Sequence, residues 1–157
     1  MHPYEVFISY AHEDSSFLPK LENHLQSLKQ QNLISTWSDT DISPGTEWEP
    51  QIMSRLNNAQ IILLLISSDF MGSKFCYSIE MDVAIKRHKN NQARVLPIVL
   101  RSVDWEGAPF AALQMLPTGA KPIRQWSDID EAFKDVAKGI RKAIKDLDEE
   151  KAKPANP

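Results

Sequence analysis

Cysteine is nearly absent from this sequence: Cys76 stands alone among 157 residues. That excludes an intrachain disulfide and a cysteine-rich metal site. Glycine is also sparse. Gly45, Gly72, Gly107, Gly119 and Gly139 form no cluster, so the chain lacks the G-x-G-x-x-G fingerprint of a hydride-transferring dinucleotide enzyme. No long apolar run is present. The longest, Ile61 to Ile66, falls far short of the roughly 20 residues that span a bilayer. The opening MHPYEVFISY has neither the charged region nor the apolar run of a secretory signal. Charge of one sign is not in excess: the net charge is −3, with acidic and basic residues interspersed. There is no basic stripe of the kind that binds nucleic acid. His24 and His88 have no metal-ligand partner at useful spacing, and no metal is expected. These absences lead to the expectation of a cytoplasmic protein without nucleic-acid or membrane partners.

What is present is enough for a core, since 42% of residues are hydrophobic. The length predicts one domain, residues 1–147, followed by a charged, proline-containing stretch at 148–157 expected to be a flexible tail or linker. Apolar strands alternate with amphipathic helices. EVFIS is a first strand. Phe17, Leu18, Leu21, Leu25 and Leu28 then recur at helical spacing, after Ser15 or Ser16 as N-cap. ISTW is a short second strand, and the polar loop SDTDISPG follows it. Thr46 and Glu49 suggest a capping box for a helix carrying Trp48, Ile52 and Leu56. QIILLLIS, apolar on both faces, reads as a central parallel strand. RVLPIVL is a fourth strand, in which Pro97 should leave one side poorly paired. The stretch SVDWEGAPFAALQMLPTGA has no clear period. KPI suggests a very short fifth strand. A last helix from about Ser127 turns Ile129, Phe133, Val136, Ile140 and Ile144 inward. The alternation predicts an α/β, flavodoxin-like, doubly wound parallel five-stranded sheet of order 2-1-3-4-5, with helices on both faces. Its ligand crevice lies at the carboxyl ends of strands one and three, beside the loops SYAHEDSS and SSDFMGSKF.

The helix SKFCYSIEMDVAIKRHK carries one misplaced charge. At about 100° per residue, Ser78, Asp82, Lys86 and Lys89 share a polar arc. Glu80 falls near the middle of the apolar remainder, among Cys76, Val83 and Ala84. No Lys or Arg lies three or four residues from it. A buried unpaired carboxylate is costly, so Glu80 requires either a cation from elsewhere in the fold or a cleft.

FISYAHED, ISTWSDTDISPG, IILLLISSDF and FCYSIEMDVAI, in this order, together with VLPIVLRSVDWEGAPFAALQMLP, resemble a bacterial-type Toll/interleukin receptor (TIR) domain. The resemblance runs from Tyr4 to about Ile144. It implies the flavodoxin-like fold and, as in many members, cleavage of NAD at the nicotinamide–ribose bond. NAD would then be a substrate and not a cofactor. The family's catalytic glutamate on the helix after strand three corresponds to Glu80. The loop after strand one, with Ser9 and Tyr10, would flank the NAD pocket. Trp37 would lie near the nicotinamide end. Asp39 and Asp41 could bind ribose hydroxyls or merely solvate their loop, and Asp39 is the preferred candidate. Many members carry tryptophan four residues before the glutamate. Cys76 stands there and cannot stack on a ring. The loop containing Ser43, Pro44 and Gly45 corresponds to one that packs between domains, so head-to-tail assembly with other TIR domains is implied, and with it an open filament. A C-terminal sensor module and a role as an antiphage or cell-death effector follow by resemblance alone. One rival is a non-catalytic TIR scaffold. A more distant one is a phosphoacceptor receiver domain using Glu13, Asp14 and Asp69.

Overall fold

The computed structural model describes residues 2–42, 44–74 and 78–153. Four strands, β1 (Tyr4–Ser9), β2 (Ile34–Trp37), β3 (Ile61–Ile66) and β4 (Arg94–Val99), form one parallel sheet in the order β2-β1-β3-β4. The helices are α1 (Phe17–His24), α2 (Gln26–Gln30), α3 (Trp48–Asn58), the short α4 (Ser68–Met71), α5 (Ile79–Lys89) and α6 (Ile129–Ala152). No helix among the described residues is long and apolar enough to cross a membrane.

Strand β3 is buried along its whole length, and its alternation divides the core in two. Ile61, Leu63 and Leu65 pack with Leu21 of α1, with Leu25 between α1 and α2, and with Phe133, Val136 and Ile140 of α6. Ile62, Leu64 and Ile66 pack on the other face with Leu56 of α3, and with Met81 and Ala84 of α5. Each fully buried Leu, Ile or Phe contributes about 1.5–3 kcal/mol relative to exposure. The doubly wound arrangement follows, because a strand apolar on both faces must be covered twice.

The fifth strand is the main departure from expectation. Among the described residues its place beside β4 is held by a single parallel bridge, Ile98 to Leu116. Leu116 N–H donates to the Pro97 carbonyl at 2.9 Å, and Val99 N–H donates to the Leu116 carbonyl at 2.8 Å. Pro117 follows at once and has no N–H to continue a ladder. KPI does not form a strand either; Ile123–Gln125 is a 3-10 turn, whose Arg124 N–H reaches the Leu100 carbonyl at 3.1 Å. Pro97 behaves as its chemistry requires. Its carbonyl, and with it the side lacking a donor, faces outward to Leu116, while Leu64 pairs with it undisturbed on the inner side.

Smaller corrections concern helix ends. The segment from Phe17 to Leu28 is divided at Leu25, and Ser16 takes the N-cap position of α1 without a side-chain bond. Thr46 does not cap α3. Glu47 is the N-cap, and Thr46 Oγ1 accepts instead from Gln51 Nε2 at 2.6 Å. α5 begins at Ile79, with Ser78 as N-cap, and not near Ser73. Ile129 at 38% exposure and Ile79 at 71% lie outside the core faces assigned to them. α6 continues through Ala152, so residues 148–152 belong to a helix and not to a tail. Asp148 on this helix accepts from the Tyr4 hydroxyl at 2.6 Å.

Candidate functional site

A cavity of about 530 Å³ opens at the carboxyl edge of the sheet. Its floor is the end of β1, with Phe7, Ser9 and Tyr10. Trp37 and Asp39 close one side, after β2. The N-terminal turns of α3 and α5 supply the walls: Trp48, Glu49, Ile52 and Met53 from one, Ser78, Ile79 and Glu80 from the other, with Lys74 nearby. The walls are tied together at their far ends. Arg87 of α5 donates from Nη1 to the carbonyls of Leu56 and Ala59, at 2.6 and 2.5 Å, capping the C-terminus of α3.

Glu80 sits in the first turn of α5, partly buried, and lines this cavity. Free N–H groups in a first helical turn favour a negative charge there. Among the described residues the Glu80 carboxylate takes part in no ion pair and no hydrogen bond. The carboxylate that the helical period places on the apolar arc thus opens into space.

Asp39 is held by the turn that contains it. Ser38 and Asp41 form a reciprocal capping box, with Ser38 N–H donating to Asp41 Oδ2 at 2.9 Å. Asp39 Oδ2 lies 3.5 Å from Nε2 of the exposed His12. Asp39 Oδ1 is buried and has no hydrogen-bond partner among the described residues. An unsatisfied buried acceptor costs about 1–3 kcal/mol. Burial, and then hydrogen bonding to the neighbouring Asp39 carboxylate, hold the Tyr10 phenol above its usual range, so it stays a neutral donor toward Asp39.

The structure therefore brings Ser9, Tyr10, Trp37, Asp39 and Glu80 to one cavity. Cys76 and Ser43 lie outside the described residues. Pro44 and Gly45 are exposed and do not line the cavity; Gly45 has φ +82°, the left-handed conformation a Pro-Gly turn favours. Trp37 is more committed than a free ring-binding residue. It is 8% exposed, stacked on Phe7 at 5.5 Å between centroids, with the Arg55 guanidinium 5.7 Å from its ring. Sequence reasoning missed Trp48, Glu49 and Lys74. Trp48 lies on the same helical stripe as Ile52 and Leu56, which reads as core.

A second polar cluster lies beside the cavity. Asp14, 1% exposed, accepts from Ser67 Oγ and from Arg101 Nε, the latter at 2.8 Å. Arg101 Nη2 donates to Asp69 Oδ2 at 2.6 Å. The hydrogen bond to Asp14 above all, with Asp69 in support, raises the Arg101 guanidinium's affinity for its proton. Of the three acids that a receiver domain would use here, Glu13, Asp14 and Asp69, the last two are bound to an arginine. No group of three or more His, Cys, Asp or Glu among the described residues has the geometry to hold a metal ion.

Comparison with known proteins agrees with this architecture. A sequence model of the TIR domain matches residues 6–145. The chain belongs to the TIR domain family. It is 48% identical over 138 residues to the uncharacterized protein y4lF of Sinorhizobium fredii, covering 88% of this chain and 43% of that protein. It is 25% identical over 116 residues to Toll-like receptor 4 of Pinctada imbricata, covering 72% of this chain and 13% of the receptor. The chain thus spans less than half the length of either relative. Among solved structures it resembles the TIR domains of the activated Roq1 resistosome that directly recognizes the pathogen effector XopQ, with TM-score 0.54 and 18% identity over 92% of this chain and 99% of that one.

Proposed function

We propose that this TIR domain cleaves the nicotinamide–ribose bond of NAD, with Glu80 as the catalytic residue. The observation that carries the proposal is the unpaired Glu80 carboxylate lining a cavity at the sheet's carboxyl edge. The nicotinamide of NAD is already a pyridinium cation. When the C1′–N bond breaks, its electron pair stays with the ring and nicotinamide leaves neutral, so no general acid is required. Positive charge develops on the ribose as an oxocarbenium ion, as in glycoside hydrolysis. A fixed carboxylate beside it stabilises that charge, and Asp39, which lines the same cavity, offers a second carboxylate to the ribose hydroxyls. Water then adds at C1′ and releases a proton, giving ADP-ribose; attack by an adenine nitrogen instead gives a cyclic isomer.

Activity is expected to depend on assembly. Family membership and the fold shared with TIR domains of a resistosome support TIR–TIR association as the trigger. In this reading the chain is the signalling part of a longer cytoplasmic protein in bacterial defence or cell death. A rival reading, a scaffold working by TIR–TIR contact alone, draws on the exposed Ile79 and Trp48 at the cavity rim. Chromatography of NAD incubated with concentrated protein separates the two. Wild type is expected to release nicotinamide, and Glu80→Gln to lose at least about a hundredfold in rate with an unchanged melting curve. Equal turnover by the two chains removes Glu80 from its role, and no turnover by clustered wild type leaves the scaffold.

A further inference from the structure

Two tryptophans line the cavity, and they differ in what they already touch. Trp37 is buried and its ring is engaged by Phe7 and Arg55. Trp48 is 58% exposed and makes no ring or cation contact among the described residues. It begins α3, where the stripe Trp48–Ile52–Leu56 leaves the core: Leu56 is fully buried, Ile52 partly, and Trp48 is exposed. A large indole left open on a cavity wall is available to a ligand.

The charges on the wall indicate which ligand. Asp39, Glu49 and Glu80 line the cavity against the single ammonium of Lys74. Such a lining repels a pyrophosphate and attracts a cation. A flat cationic ring meets both features at once, since the face of tryptophan is the best aromatic partner for a cation. We propose that Trp48 is the residue that recognises the oxidised, positively charged pyridinium ring, selecting it by charge and shape, with the ribose turned to Asp39 and Glu80 and the phosphates directed out of the cavity. This deepens the NAD-cleaving reading and rests on it for the identity of the ring.

The test uses ligands that cannot be turned over. The intact chain is titrated with 1-methylnicotinamide, a permanent pyridinium, and with nicotinamide, the same ring uncharged, by ligand-observed NMR. Tighter binding of the cation is expected, and Trp48→Leu should weaken it by between roughly three- and thirty-fold while leaving neutral nicotinamide nearly unaffected. Trp48→Phe should retain part of the preference. The exposed position of Trp48 makes an unchanged melting curve the expected control. Equal affinity for the two ligands, or a cation preference that survives Trp48→Leu, overturns the proposal. If NAD is not cleaved but the Trp48-dependent preference holds, the catalytic reading fails and this one stands. If NAD is cleaved with KM unchanged in Trp48→Leu, the reverse is true.

Discussion

Arg101 and Asp14 stand 87 residues apart in the chain and meet at 2.8 Å, guanidinium Nε to carboxylate Oδ1. Arg101 follows β4, Asp14 lies in the loop after β1, and Asp69 and Ser67 follow β3. One side chain thus ties together three loops at the carboxyl edge of the sheet. Two of those loops adjoin the candidate site: β1 ends in Ser9 and Tyr10, and the chain after α4 leads to Lys74 and Glu80. The network fixes the edge on which the cavity is built.

Replacing Arg101 by Met should therefore destabilise the fold by about 3 kcal/mol, because Asp14 remains buried with only Ser67 as a donor and an uncompensated buried charge is expensive. Asp69→Asn should cost less than about 1 kcal/mol, since Asp69 is 41% exposed and water screens its pairing. Urea unfolding of the two variants gives the comparison. Equal losses would show that burial of Asp14 is not what makes the network matter.

Asp39 is expected to serve the ligand more than the fold. Its Oδ1 is buried and unpartnered, while the rest of the carboxylate meets only the exposed His12 and the Tyr10 phenol, so Asp39→Ala should move the unfolding midpoint little. The same substitution should raise the KM for NAD about tenfold with a smaller change in kcat, if the carboxylate lining the cavity accepts from a ribose hydroxyl before and during bond cleavage alike. A clear loss of stability with KM unchanged would assign Asp39 to the fold alone.

The sheet order was legible because it depends on patterns that survive tertiary context. A strand apolar on both faces, Ile61 to Ile66, has to lie in the middle, and the short ISTW suits an edge. Glu80 was legible because a carboxylate on an apolar arc contradicts its surroundings. The fifth strand was misread because KPI has a strand-like composition, whereas Pro117 and Pro122 deny the donors a ladder needs. Trp48 was hidden for a different reason. Periodicity tells which face of a helix turns inward, but not where the core beneath that face ends. Ile79 shows the same limit one wall away: apolar in pattern, it stands 71% exposed at the rim.

Gly139 and Leu116 give a prediction whose sign depends on the partner. A Cβ at Gly139 would lie 2.6 and 2.7 Å from the two methyl carbons of Leu116, the residue that fills the place of the missing strand. In a helix interior, alanine is favoured over glycine by about 1 kcal/mol, while overpacking costs about 1–3 kcal/mol. Gly139→Ala alone should therefore lower stability. Combined with Leu116→Ala, which removes the obstructing methyl groups, the same change should raise stability relative to Leu116→Ala alone. Thermal unfolding of the four chains measures this, and a Gly139→Ala effect of the same sign in both backgrounds would show that Leu116 does not set it.

His88 should make stability fall with acid. Its Nδ1 accepts from the Val95 N–H at 3.0 Å, near the start of β4, which requires that nitrogen to be unprotonated. Burial first, and the nearby Arg94 second, lower the affinity of the imidazole for a proton below the ordinary value of 6.5. In the unfolded chain the ring gains its proton near that ordinary value, while in the folded chain it does so only at lower pH. The stability present above pH 6.5 is thus lost as pH falls from there toward the folded-state value, and the loss stops once both states are protonated. His88→Gln keeps an oxygen that can accept from Val95 and has no proton to gain. Unfolding free energies measured from about pH 7 to pH 5 should therefore decline more steeply for the wild type than for His88→Gln, and parallel curves would mean that the imidazole does not titrate against folding.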